Sequence, residues 1–124
     1  MDYLNARDSK FDDFVNCILR DKSLGVDETL MIRDLSAIRS RFLEFNFGDI
    51  EVDFSICDVS SIEAPIGGLL DNRRAMKIKK LLEKGNSPQP VYFLNGRLIE
   101  GRHRLIAFNW HGVGDILVVN FRKK

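Results

Sequence analysis

The order of local patterns predicts an α+β fold: a small mixed sheet with packed helices, preceded by an N-terminal helical hairpin. Three observations carry that expectation. Apolar residues recur at helical spacing from Phe11 to Phe45, and the period changes to two at Ile50. Further on, an Asn95-Gly96 turn joins two apolar runs ahead of a glycine-led helix and a last apolar strand.

Residues 9–22 read as an amphipathic helix, since Phe11, Phe14, Val15, Ile18 and Leu19 form one continuous stripe. Ser9, with Asp12 three residues later, resembles a capping arrangement. Leu24-Gly25-Val26 breaks the pattern. Asp27 then caps a second helix through about Phe45, whose stripe is Met31, Leu35, Ile38, Phe42 and Phe45, and Gly48 suits its left-handed end. The stripes of both helices read as core, with no catalytic constellation. In the next segment Ile50, Val52, Phe54 and Ile56 alternate with Glu51, Asp53 and Ser55, which predicts a strand with one buried face.

Ala64 to Gly68 is loop. Asp71 or Asn72 can cap a third helix, with Ala75, Ile78, Leu81 and Leu82 on its apolar side and Gly85 at its end; Arg73, Arg74, Lys77, Lys79 and Lys80 make its other surface basic. Pro90 is tolerated at the start of a strand, and Val91 to Leu94, Asn95-Gly96 and Arg97 to Glu100 form a two-residue hairpin. A fourth helix runs from Arg102 to His111, where Trp110 and His111 read as structural. A final strand follows over Asp115 to Phe121. The expected organisation is a helical segment over 1–48 and an α+β domain over 49–124, packed as one unit.

Charge is divided unevenly along the chain. Residues 1–64 hold 7 Lys/Arg against 14 Asp/Glu, and residues 65–124 hold 12 against 4. Either the C-terminal half meets an anion or the two halves pack acidic face to basic face. Cys17 and Cys57 form no paired motif, which fits reduced thiols. The first residues show no signal-peptide pattern and no apolar run is long enough for a bilayer, so a cytoplasmic location without membrane contact is expected.

The electrostatic anomaly lies at Gly101-Arg102-His103-Arg104. A helix N-terminus carries partial positive charge, so three basic residues in its first turn are each unfavourable by about 0.3–1 kcal/mol when exposed. A bound phosphate removes the conflict. Arg104 is then a fork donor to phosphate, unless it is paired to a carboxylate. His103 binds phosphate or acts as acid/base, unless it fixes the turn. Arg102 neutralises phosphate or points to solvent. Glu100 accepts a proton or binds an ion, or pairs with a neighbouring arginine. Gly101 lets backbone N–H groups approach an anion, and Arg73 and Arg74 reach the same anion from the third helix.

Taken together, Met76 to Gly85, Gln89-Pro90-Val91, the hairpin, Gly101-Arg102-His103-Arg104 with Ala107, His111-Gly112 and Ile116 to Phe121 resemble the ParB/sulfiredoxin superfamily. With Val52 to Ile62 as opening strand, the resemblance covers about 70 of 124 residues. The partition-protein branch has Gly-Glu-Arg-Arg here, holding the phosphates of CTP. Sulfiredoxin has Gly-Cys-His-Arg, with a nucleophilic cysteine and ATP as phosphoryl donor. Glu100 to Arg104 comes nearest the Asp-Gly-x-His-Arg form, found in a free serine kinase and in phage or plasmid proteins. Arg102 stands where the nucleophilic cysteine would be, so sulfiredoxin chemistry is not expected.

What the resemblance implies is a nucleotide-phosphate-binding domain that binds or hydrolyses ATP or CTP in connection with DNA or a partner protein. Gly101, His103 and Arg104 match the family's phosphate-holding positions. If the protein is an enzyme, an NTPase or phosphotransferase with Mg²⁺ fits best. Two rivals stand beside it. One is a protein that binds or cuts DNA directly with the basic half. The other is a non-catalytic interaction module docking a protein through the N-terminal helices.

Overall fold

A mixed four-stranded sheet with helices on both faces organises the chain. The computed structural model describes residues 9–41, 50–63, 65 and 68–123. Its elements are α1 (Ser9–Arg20), α2 (Glu28–Arg41), β1 (Ile50–Asp58), α3 (Leu69–Glu83), β2 (Val91–Leu94), β3 (Arg97–Glu100), α4 (Arg102–His111) and β4 (Asp115–Lys123), with single 3₁₀ turns at Lys22–Leu24 and Val59–Ser61. The strand order is β1-β4-β2-β3. β4 runs antiparallel to β1 and parallel to β2, and β2 and β3 form the hairpin.

The run Ile116 to Phe121 is apolar because β4 is covered on both sides. Leu117, Val119 and Phe121 point to one face, where they meet Val15 and Ile18 of α1 and Met31, Leu35 and Ile38 of α2. Ile116 and Val118 point to the other, against Leu82 of α3 and Leu105 and Phe108 of α4. Ala75, Ile106 and Ala107 let α3 and α4 approach closely. Among the described residues, no helix is long and apolar enough to cross a membrane.

Several elements form for the local reasons the sequence shows. Asp27 accepts from Leu30 N–H at 3.0 Å and begins α2. Asn95 (φ 49°) and Gly96 (φ 81°) are both left-handed, as a type I′ hairpin turn requires. Other expectations need correction. α1 ends at Arg20 rather than at residue 22, because Asp21 turns the chain by accepting from Ser23 N–H. α3 begins at Leu69 with Gly68 as its N-cap, and Asp71 is its third residue, accepting from Gly68 N–H at 3.2 Å. Leu81 of α3 is exposed.

β1 buries only the start of its apolar face. Ile50 is buried, but Phe54 and Ile56 are 36% and 52% exposed, because β1 is an edge strand and α1 reaches it through Phe14, whose ring lies 5.7 Å from that of Phe54. The assignments of Phe42, Phe45 and Gly48 lie outside the described residues.

Candidate functional site

The turn Glu100–Arg104 stands where β3 ends and α4 begins, and packing explains its glycine. Gly101 is buried with φ 109°, and a Cβ there would lie 2.6 Å from Val91 Cγ1 and 3.1 Å from Val91 Cα. A side chain would meet both strain and collision. The glycine is required by the β2 backbone alongside it, independently of any ligand.

Two carboxylates from other helices neutralise the basic first turn of α4. Asp34, from α2, forms a fork with Arg104: NH1 donates to Oδ2 at 2.6 Å and NH2 to Oδ1 at 3.0 Å. Arg104 NH1 also donates to the Pro90 carbonyl at 2.7 Å, and the buried Tyr92 hydroxyl donates to Asp34 Oδ2 at 3.2 Å. Burial, followed by the Asp34 charge, pushes the Tyr92 hydroxyl far above its usual range. Among the described residues no buried side-chain polar atom lacks a partner, so the network is closed.

Asp71, from α3, takes the other two cations. Its Oδ1 lies 2.8 Å from His103 Nε2, and its Oδ2 lies 3.4 Å from Arg102 NH2. An ionised carboxylate only accepts, so Nε2 carries the proton. The His103 bond, then the Gly68 N–H and the Arg102 charge, hold the Asp71 carboxyl below the usual range against a partial desolvation. Asp71 thus sits at the starts of both α3 and α4, where helix dipoles favour an anion.

These contacts correct the assignments made from sequence. Arg104 does not offer its fork to a ligand; Asp34 holds it. His103 fixes the turn through Asp71. Glu100 pairs with Arg41 at 2.8 Å and accepts from Gly101 N–H at 3.3 Å, and Arg41 also donates to the Ile99 carbonyl, so Glu100 does not stand ready as a base. Trp110 and His111 are exposed at the end of α4 rather than packed. The N-terminal helices do contribute to the site: the chain's acidic half meets its basic half at Asp34–Arg104, and again at Asp53–Arg122 across β1 and β4. Asp34 carried a signal in the sequence, because it falls on the face shared by Met31, Leu35 and Ile38, where a charge needs a partner.

Beside the neutralised turn lies a cavity of about 550 Å³ between α2, α3 and α4. Five cations line it (Arg33, Arg74, Lys77, Arg102 and Arg104) against two carboxylates, Asp34 and Glu100. Within the described residues Arg33, Arg74 and Lys77 belong to no ion pair. The structure therefore brings Arg74 to the site, leaves Arg73 on the outer surface of α3, and adds Arg33, which the sequence did not single out.

A second cavity of about 560 Å³ shares Arg33, Ile78 and Arg104 with the first, and the rest of its wall mixes Leu30, Leu81, Leu82 and Phe108 with Asp27, Asn86, Ser87 and Gln89. Gln89 ties its rim together, accepting from Asp27 N–H and donating to the Gly25 and Ser87 carbonyls. Among the described residues no group of three or more His, Cys, Asp or Glu gathers to hold a metal ion. No family model, curated protein or solved structure matches the chain.

Proposed function

We propose that the double cleft binds a nucleotide, with phosphates in the basic half and the base in the adjoining half, where Leu30, Leu81, Leu82 and Phe108 supply apolar surface and Asn86, Ser87 and Gln89 polar groups. The observation that carries this reading is the set of cations, Arg33, Arg74 and Lys77, in no ion pair among the described residues and lining one cavity, which adjoins a second with Leu30, Leu81, Leu82 and Phe108 in its wall. Three like charges around a common space repel one another, and a phosphate group relieves that repulsion while accepting guanidinium and ammonium hydrogen bonds. The combined space suits a ligand of nucleotide size. The ParB/sulfiredoxin resemblance favours ATP or CTP as the nucleotide. A bound Mg²⁺ would take its ligands chiefly from the phosphates.

Within this reading the roles differ from those the motif suggests. Arg33, Arg74 and Lys77 meet the phosphates, and Arg102 stands at the rim. Asp34 and Asp71 keep α4 in place by holding Arg104 and His103. The test is calorimetric titration of ATP and CTP, with and without Mg²⁺, into the wild type and into Arg33→Gln and Arg74→Gln. Each variant is expected to weaken binding about tenfold, the loss of one charge-assisted contact of roughly 1.4 kcal/mol. Absent binding, or binding that neither substitution changes, rejects the reading.

A further inference from the structure

We propose that the outer face of α3 is a docking surface for the phosphate backbone of a nucleic acid, laid along Arg73, Lys77, Lys80 and Lys84. These residues are spaced i, i+4, i+7 and i+11, which places them in one row on a helix. All four are exposed. They stand opposite Ala75, Ile78 and Leu82, the side of α3 turned to the core and to α4. Among the described residues none of the four is in an ion pair.

The chemistry of the row selects its partner. Eleven residues of helix span about 16 Å, a length over which duplex DNA presents roughly nine phosphate charges. Three of the four cations are lysines, which are depleted in protein–protein interfaces and common on phosphate backbones. A lipid surface recruits a helix through one continuous apolar face. The apolar side chains that α3 leaves exposed, Leu69, Leu70, Met76 and Leu81, are split by helical spacing between the two flanks of the row. Ala75, Ile78 and Leu82 are engaged in the core. The row stands independently of the nucleotide reading except at Lys77, which belongs to both row and cleft.

The experiment measures duplex DNA of about 20 base pairs by fluorescence anisotropy between roughly 50 and 200 mM salt. Wild type is compared with Lys80→Gln/Lys84→Gln, whose two positions lie outside the cleft. With four phosphate contacts the wild-type affinity is expected to fall about 150-fold over that range, and with two about 12-fold. ATP and CTP titrations should be the same in both proteins. Equal salt dependence in the two proteins overturns the proposal, as does the absence of duplex binding. So does lysine-dependent binding to phosphatidylserine-rich vesicles without binding to the duplex. Arg33→Gln separates the two sites: if it loses nucleotide and keeps duplex, each surface stands by itself, and if wild type binds duplex but no nucleotide, only the cleft reading fails.

Discussion

The start of α4 and the wall of the cleft opposite it are both crowded with cations, yet they are different kinds of region. At the start of α4 every basic side chain meets a carboxylate: Arg104 meets Asp34, and His103 and Arg102 meet Asp71. Across the cleft Arg33, Arg74 and Lys77 meet none among the described residues. Helices α2 and α3 supply both the neutralising acids and the cleft cations, Asp34 next to Arg33 and Asp71 one turn before Arg74. The internal acids satisfy the anomaly that drew attention to the motif. The charge still available to a ligand lies on residues outside it.

The comparison breaks most severely at the buried pair. Removing one partner strands a charge away from water, so Asp34→Ala is expected to lower unfolding free energy by about 3–5 kcal/mol in urea titration. Replacing both, as Asp34→Leu with Arg104→Met, should cost distinctly less than either single change, because the stranded charge is gone. Equal losses in the double and single variants would show that the pair's charges were not the issue. Gly101→Ala comes next, at about 2–4 kcal/mol, from an unfavourable φ and the collision with Val91. A Gly101→Ala variant as stable as wild type would mean that the turn relaxes freely.

Asp71 sharpens the contrast in a pH-dependent way. Its folded-state pKa lies below the ordinary value of 3.8, so its contribution is present above that value and is lost as pH falls through the folded pKa. The difference in melting temperature between wild type and Asp71→Asn should therefore be constant near neutrality and close below about pH 4. A difference that persists unchanged to about pH 2 contradicts the ion-pair role. Smallest of all is Glu100→Gln. Its partner Arg41 is half exposed, and thermal melts should register at most about 0.5 kcal/mol.

The parts of this fold that were legible in the sequence are those whose causes are local. Asn95-Gly96 encodes its own turn, and Asp27 caps α2 from one position before its first residue. The alternation of Val52, Phe54 and Ile56 gives a strand but not what covers it, and α1 covers only its beginning. At the candidate site, Gly-x-His-Arg singled out the turn Glu100–Arg104 while leaving open whether its cations faced a ligand or a carboxylate. That choice is made by residues 32 and 70 positions away, Asp71 against His103 and Asp34 against Arg104. No spacing rule connects such distant positions. Arg33 escaped notice because a single arginine on a helix surface looks like any other until α3 faces it across a cavity.

The most direct measurement compares nucleotide affinity and folding stability in the same proteins. Arg33→Gln/Arg74→Gln is expected to unfold within about 0.5 kcal/mol of wild type while losing roughly 100-fold in affinity for ATP or CTP. Unchanged nucleotide affinity in that double variant would contradict the account, because ligand binding would then lie outside the cations Arg33 and Arg74 of the cleft.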